Sequence, residues 1–119
     1  MNNTKFGDKG EKLAVKFLIE NGYEILETNW RSSHKEIDII AKTETELIIV
    51  EVKTRSSNYF ELPEEAVTLK KQNFMIEAAQ KYIDLTNINL EVRFDIIAIT
   101  QKNNQFELKH IENAFVPNF

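Results

Sequence analysis

Apolar positions recur along the chain with two periods. Spacings of three and four residues mark two segments, and near-alternating or continuous apolar runs mark five others. Between Thr4 and Glu20, Phe6, Leu13, Ala14, Phe17 and Leu18 fall at helical spacing, and Asn21-Gly22 supplies a stop. Tyr23 to Trp30 has strand character, and Arg31 to Lys35 reads as a polar, basic connector. Ile37 to Ala41 and Leu47 to Val52 flank a polar break at Thr43, Glu44 and Thr45, which predicts a β-hairpin. The polar stretch Ser56 to Glu61, with Tyr59-Phe60, and the turn expected over Pro63 to Val67 predict a mobile loop. Thr68 is placed to cap a second helix running to about Asp84, with Phe74, Met75, Ala78, Ala79, Tyr82 and Ile83 as its apolar face. Leu90 to Thr100 and Gln105 to Ile111 predict a closing hairpin about a Lys102-Asn-Asn104 turn, and the tail's Phe115 and Phe119 are expected to fold back on the domain. The order α-β-β-β-α-β-β predicts an α/β sandwich around a mixed sheet.

Charges within these patterns carry the chemical information. Side chains alternate along a strand, so Glu36 and Asp38 are expected on one face of the first hairpin strand, and Glu51 and Lys53 on one face of the second. Both pairs fall at the same end of the hairpin. Glu51 follows Leu47, Ile48, Ile49 and Val50, a run apolar on both faces, so its carboxylate is expected to be at least half buried. Burying unpaired carboxylates costs several kcal/mol, so a compensating cation is expected: a divalent metal, Lys53, or both.

The helices repeat the theme. In the first, Lys9, Lys12, Lys16 and Glu20 share a polar face while Glu11 falls inside the apolar arc; a rim carboxylate bending back to water is the alternative. Gly7 and Gly10 lie on that arc and suggest close backbone packing. In the second, Lys71 and Gln72 fall inside the apolar arc at its N-terminal end, while Lys70, Lys81, Asn73, Glu77 and Gln80 face water. An amine and an amide beside free backbone N–H groups make a phosphate seat, although a lysine that snorkels past its neighbours gives the same pattern. Arg93 and Asp95 share a strand face and are expected to pair structurally, and His34 reads as a solvated loop residue.

Composition narrows the options. A chain of 119 residues, 42% hydrophobic, suits one compact domain over residues 1–119. The net charge of -4 and pI near 5.2 give no general attraction for nucleic acid, so such binding needs a local basic patch. Without cysteine there is no disulfide, thiolate metal site or cysteine nucleophile. The N-terminal MNNTKFGDKGEK lacks an apolar signal core and no run reaches membrane-spanning length, which predicts a cytoplasmic protein with no membrane partner.

Asp38, Glu51 and Lys53 together form an oxygen-rich site with one cation, which favours Mg²⁺ with Mn²⁺ as substitute. In a phosphodiester hydrolase, Lys53 would position the attacking water or stabilise the charged transition state. Glu11 and Glu36 would form an outer or second-metal set, and Arg31, Arg55, Lys70, Lys71 and Gln72 would hold the nucleic-acid backbone. A bare acid-x-Lys triplet is weak, since Glu107-Leu-Lys109 is a second one; the weight lies in the convergence.

The strings GEKLAVKFLIENGYEIL, EIDIIA, IIVEVKTR, RFDIIAI and HIENAF resemble the uncharacterised bacterial YraN-like proteins, themselves similar to archaeal Holliday-junction resolvases of the PD-(D/E)xK nuclease superfamily. The resemblance implies a restriction-endonuclease-like αβββαβ fold and a Mg²⁺-dependent endonuclease acting on DNA, including branched or structured DNA. By position, the motif aspartate falls on Asp38, the motif Glu-x-Lys on Glu51 and Lys53, the helical glutamate on Glu11 and the second-helix lysine on Lys71. Ile37 replaces the motif proline, and Lys35 stands where the group usually has glycine. Resolvase relatives work as dimers, so a homodimer is implied, although no stretch reveals a self-complementary surface; a protein partner that recruits the chain to DNA is a second expectation. The rival is a non-catalytic nucleic-acid- or partner-binding module that keeps the nuclease fold, and a salt-bridge cluster without ligand is a third reading.

Overall fold

The structure is a computed structural model that describes residues 2–56 and 67–117, with side chains from residue 8 onward. The expected loop over 57–66, the surroundings of Phe6 and Gly7, and Phe119 lie outside the described residues. Seven elements follow the predicted order: α1 (Asn2–Glu20), β1 (Glu24–Ser32), β2 (Lys35–Lys42), β3 (Glu46–Ser56), α2 (Leu69–Thr86), β4 (Glu91–Lys102) and β5 (Gln105–Phe115). The strands form one sheet in sequential order. Every neighbouring pair is antiparallel except β3 and β4, whose parallel pairing needs the α2 crossover. This is a mixed α/β architecture with the αβββαβ order of the restriction-endonuclease-like fold. Among the described residues no helix is long and apolar enough to cross a membrane.

A helix covers each face, which explains why β3 is apolar on both. Ile48 and Val50 pack with Ala14 and Leu18 of α1, alongside Ile39, Ala41, Ile97 and Ile99. Leu47 and Ile49 pack with Met75, Ala78, Ala79 and Tyr82 of α2, alongside Ile40, Phe94 and Ile96. The element ends follow local rules. Gly22, at φ 88°, closes α1 with Tyr23 N–H donating to the Leu18 carbonyl at 3.0 Å. The Thr68 hydroxyl caps α2 by accepting from Lys71 N–H at 3.2 Å, and Asn87 ends it at φ 58°. Asn103 and Asn104 both take positive φ, the tight β4–β5 turn that asparagine favours.

Three boundaries differ from the sequence pattern, each because pairing or packing outweighs polarity. β1 runs to Ser32, with Arg31 opposite Glu36 and Ser32 opposite Lys35, so the connector shrinks to Ser33 and His34. α2 reaches Thr86, whose hydroxyl bonds the Tyr82 carbonyl at 2.7 Å. The tail residues Glu112 to Phe115 continue β5, and Phe115 packs back on the core as expected, stacking on Phe94 with ring centroids 5.0 Å apart.

α1 approaches β3 closely at Gly10, where an added Cβ would collide with the Thr54 hydroxyl. Gly10→Ala gains helix propensity but forces α1 away from the sheet, and a net loss of about 1–2 kcal/mol in urea denaturation is expected.

Towards the other end of α1 lies a buried ionic network. Asp95, 0% exposed, accepts from Arg93 at 2.9 and 2.8 Å, from His110 at 2.7 Å and from Asn113 N–H at 2.9 Å. Arg93 also reaches Glu46 at 2.9 Å and the Tyr23 hydroxyl at 2.6 Å. Burial alone would raise the Asp95 carboxyl, but the His110, Arg93 and Asn113 donors together hold it below the usual range. Arg93 and Asp95 pair structurally, as their shared face suggests. Asp95→Asn should cost about 3 kcal/mol at neutral pH, because it leaves a buried guanidinium short of its counter-charge. The difference from wild type should persist above pH 4 and shrink on acidification, as the native carboxylate finally protonates; denaturation midpoints at pH 7 and pH 3 check both.

Candidate metal and nucleic-acid site

The β2–β3 hairpin sets the site by where its pairing stops. The ladder runs from Lys42–Leu47 to Ile39–Val50, so the next position places Asp38 opposite Glu51. There the strands part. The Val52 N–H donates instead to the Asp38 Oδ2 at 2.8 Å, a side chain substituting for a ladder carbonyl.

This geometry corrects the expectation that Glu36 and Asp38 share one face of a regular strand. Ile37 packs in the α2-side cluster and Ile39 in the α1-side cluster. Strict alternation would put both on one face, so the period breaks at Asp38. Asn29, at φ 51°, interrupts β1 at the same level, between the Thr28–Ile39 and Trp30–Ile37 pairs.

Glu51 is 6% exposed, in line with the apolar run before it. Two amines reach it: Lys53 Nζ lies 3.4 Å from Oε2 and Lys71 Nζ 3.5 Å from Oε1. Burial, then the facing Glu51, pushes the Asp38 carboxyl up to about 8, against the pull of the Val52 N–H. The Asp38 carboxyl is thus the group that carries the cost of facing another buried acid. Glu11 is raised too, by burial first and then by Asp8, Glu36 and Glu51. Its Oε1 is buried without a hydrogen-bond partner among the described residues. Glu11 is thus turned inward, as its place in the apolar arc suggests.

The donor set is oxygen only, and its facing buried acids and unpartnered Glu11 oxygen suit a hard divalent cation such as Mg²⁺. As the side chains stand, no three acidic or imidazole groups among the described residues converge closely enough to hold one ion together. The structure brings together Asp38, Glu51, Lys53 and Lys71, with Glu11 at longer range. Mg²⁺ commonly takes one or two carboxylates and fills the rest with water and phosphate, which this pair can provide.

The other residues expected in the site are placed differently. Arg31 and Glu36 pair with each other at 3.2 Å, so Glu36 already has a counter-charge. Arg55 donates to the Thr54 carbonyl at 3.1 Å, Gln72 donates its amide to the Val67 carbonyl at 3.1 Å, and Lys70 is exposed. Glu107 and Lys109, the second acid-x-Lys triplet, are exposed on β5. Two features escaped the sequence pattern. His110 joins Asp95 only through the β4–β5 register. Phe74 and Lys81 line a cleft with Lys35, a grouping that the one-face spacing of positions 74, 78 and 81 on α2 would have signalled.

A protein-family model matches residues 10–99 and is described as an uncharacterised protein family, UPF0102. The chain belongs to the UPF0102 family. A UPF0102 protein of Bacteroides thetaiotaomicron is 48% identical over 115 residues, covering 97% of this chain and 95% of its own. A UPF0102 protein of Parabacteroides distasonis is 48% identical, covering 92% of this chain and 90% of its own, and one of Flavobacterium psychrophilum is 47% identical, covering 92% of each. These full-length matches agree with the YraN-like resemblance read from the motifs. The UPF0102 match takes in Glu11, Asp38, Glu51, Lys53 and Lys71.

Proposed function

We propose that this UPF0102 chain is a divalent-metal-dependent nuclease that hydrolyses phosphodiester bonds in DNA, including branched or structured DNA. The single observation carrying the proposal is the Asp38–Glu51 pair, two acids forced together at the buried end of a hairpin with Lys53 beside them. Such an arrangement destabilises a fold, and a bound cation offsets the repulsion between two buried acids. The order of motifs shared with the PD-(D/E)xK superfamily supports the same assignment by analogy of fold and motif.

Each residue has a physical role in this reading. Asp38 and Glu51 would hold Mg²⁺, and Val52 N–H fixes the Asp38 rotamer. When bound, Mg²⁺ supplies Lewis-acid polarisation of the phosphate and of the attacking water. Lys53, drawn towards Glu51, orients that water and offsets the charge that builds on the phosphate. Lys71 binds a phosphate oxygen from the α2 side. Glu11 accepts a hydrogen bond from water entering the site.

One observation favours a second reading. Glu51 already has two amine partners, so a nucleic-acid- or partner-binding module that keeps the nuclease fold needs no metal. Linear, flapped and four-way-junction DNA incubated with the protein and Mg²⁺ or Mn²⁺ separates the two. Cleavage that EDTA stops is expected, and its absence on every substrate sinks the nuclease assignment.

A further inference from the structure

Beside the acid pair, between the Ser33–His34 turn and α2, lies a cleft of about 400 Å³ whose lining includes Lys35, Phe74, Glu77 and Lys81. The Phe74 ring carries two ammonium groups, Lys35 Nζ at 5.2 Å and Lys71 Nζ at 5.3 Å from its centroid. Lys71 also lies 3.5 Å from Glu51. One side chain therefore joins the cleft to the candidate site.

We infer that this cleft holds one unpaired nucleotide of a strand whose neighbouring phosphate lies at Asp38 and Glu51, with Lys35 and Lys81 on its phosphate and Phe74 against its base. The inference deepens the nuclease assignment and rests on it for the choice of nucleic acid. Its size is at the small end of ligand pockets, fit for one nucleotide and not for a duplex end. An aromatic face flanked by amines suits a stacked base and its phosphate together. In a chain of net charge -4, two lysines on one ring and a third on the same cleft lining form a local basic patch of the kind nucleic-acid binding requires. Glu77, an acceptor on the same lining, suits a base amino group better than a second phosphate. The selected substrate is a strand that leaves a duplex, such as a single strand or a flap.

The test is fluorescence anisotropy with the full chain in EDTA, so that neither metal nor cleavage enters. The probes are a labelled single strand, a blunt duplex of the same sequence, and that duplex with an unpaired flap. Single strand and flap should bind about tenfold tighter than the blunt duplex. Lys35→Gln combined with Lys81→Gln should weaken flap binding about tenfold and flatten its salt dependence. Phe74→Leu, which keeps an apolar side chain in place, should cost a comparable factor on the single strand, with circular dichroism confirming the fold. Equal affinity for flap and blunt duplex, wild-type binding by all these variants, or no binding of DNA by wild type overturns the inference. Flap preference without any metal-dependent cleavage retires the nuclease and leaves the cleft; cleavage with variants that bind as wild type does the reverse.

Discussion

Lys53→Ala should lower the rate of metal-dependent DNA cleavage by about 10²–10³-fold, with the loss in kcat. The ammonium lies 3.4 Å from Glu51, on the strand that carries the acid, and has no other ion pair among the described residues. Its removal takes away the charge that opposes the developing negative phosphate, while Lys71 still neutralises Glu51 and holds the fold together. Lys71→Ala should behave differently. That amine arrives from α2 and in the proposed reaction would hold substrate rather than the attacking water, so its loss should raise KM more than it lowers kcat. Single-turnover and steady-state cleavage of a flapped duplex separate the two. Wild-type turnover by Lys53→Ala removes this residue from the chemistry.

Asp38→Asn should stabilise the metal-free protein while abolishing its response to metal. Below about pH 4 the Asp38 carboxyl holds its proton in both the folded and unfolded chain and costs nothing. Between that point and the folded value of about 8, the unfolded chain ionises and the native one does not, so stability falls as pH rises. At pH 7 the penalty is about 2–4 kcal/mol. Asparagine reproduces the protonated acid: it can accept from Val52 N–H and donate to Glu51. The variant should therefore melt at least about 5 °C above wild type at pH 7 and lose most of the pH slope between 5 and 8. Mg²⁺ should raise the wild-type melting temperature by binding the native state and leave that of Asp38→Asn unchanged. Equal melting curves for the two proteins across that range mean that the acids do not oppose each other as described.

Much of this was legible because polar residues in apolar patterns are few and physically expensive. The element order, the Thr68 cap, the burial of Glu51 and the inward turn of Glu11 all follow from period and composition, and the Arg93–Asp95 pair follows from their shared face. What escaped depends on neighbours distant in the chain. The break of alternation at Asp38 arises where β2 is caught between Asn29 on one side and Val52 on the other, and no pattern within EIDIIA encodes it. Arg31 was expected at the nucleic acid because it is basic and near the acids; the extended β1–β2 register gave it to Glu36. Lys81 is exposed, as the helical wheel places it, and only its position on a cleft lining depends on the Ser33–His34 turn opposite.

The lone parallel pairing also dictates an order of assembly. The two antiparallel hairpins on either side of it join adjacent segments, whereas β3 meets β4 across the whole α2 crossover, Glu46 beside Glu91. Loop closure of that length is entropically slow, so β2 and β3 can meet early and α2 docks late. Until it docks, the facing acids have Lys53 but not the amine of Lys71. Completing the crossover therefore does two things at once: it takes the acids out of water, the largest cause of the raised Asp38 carboxyl, and brings the Lys71 amine to Glu51.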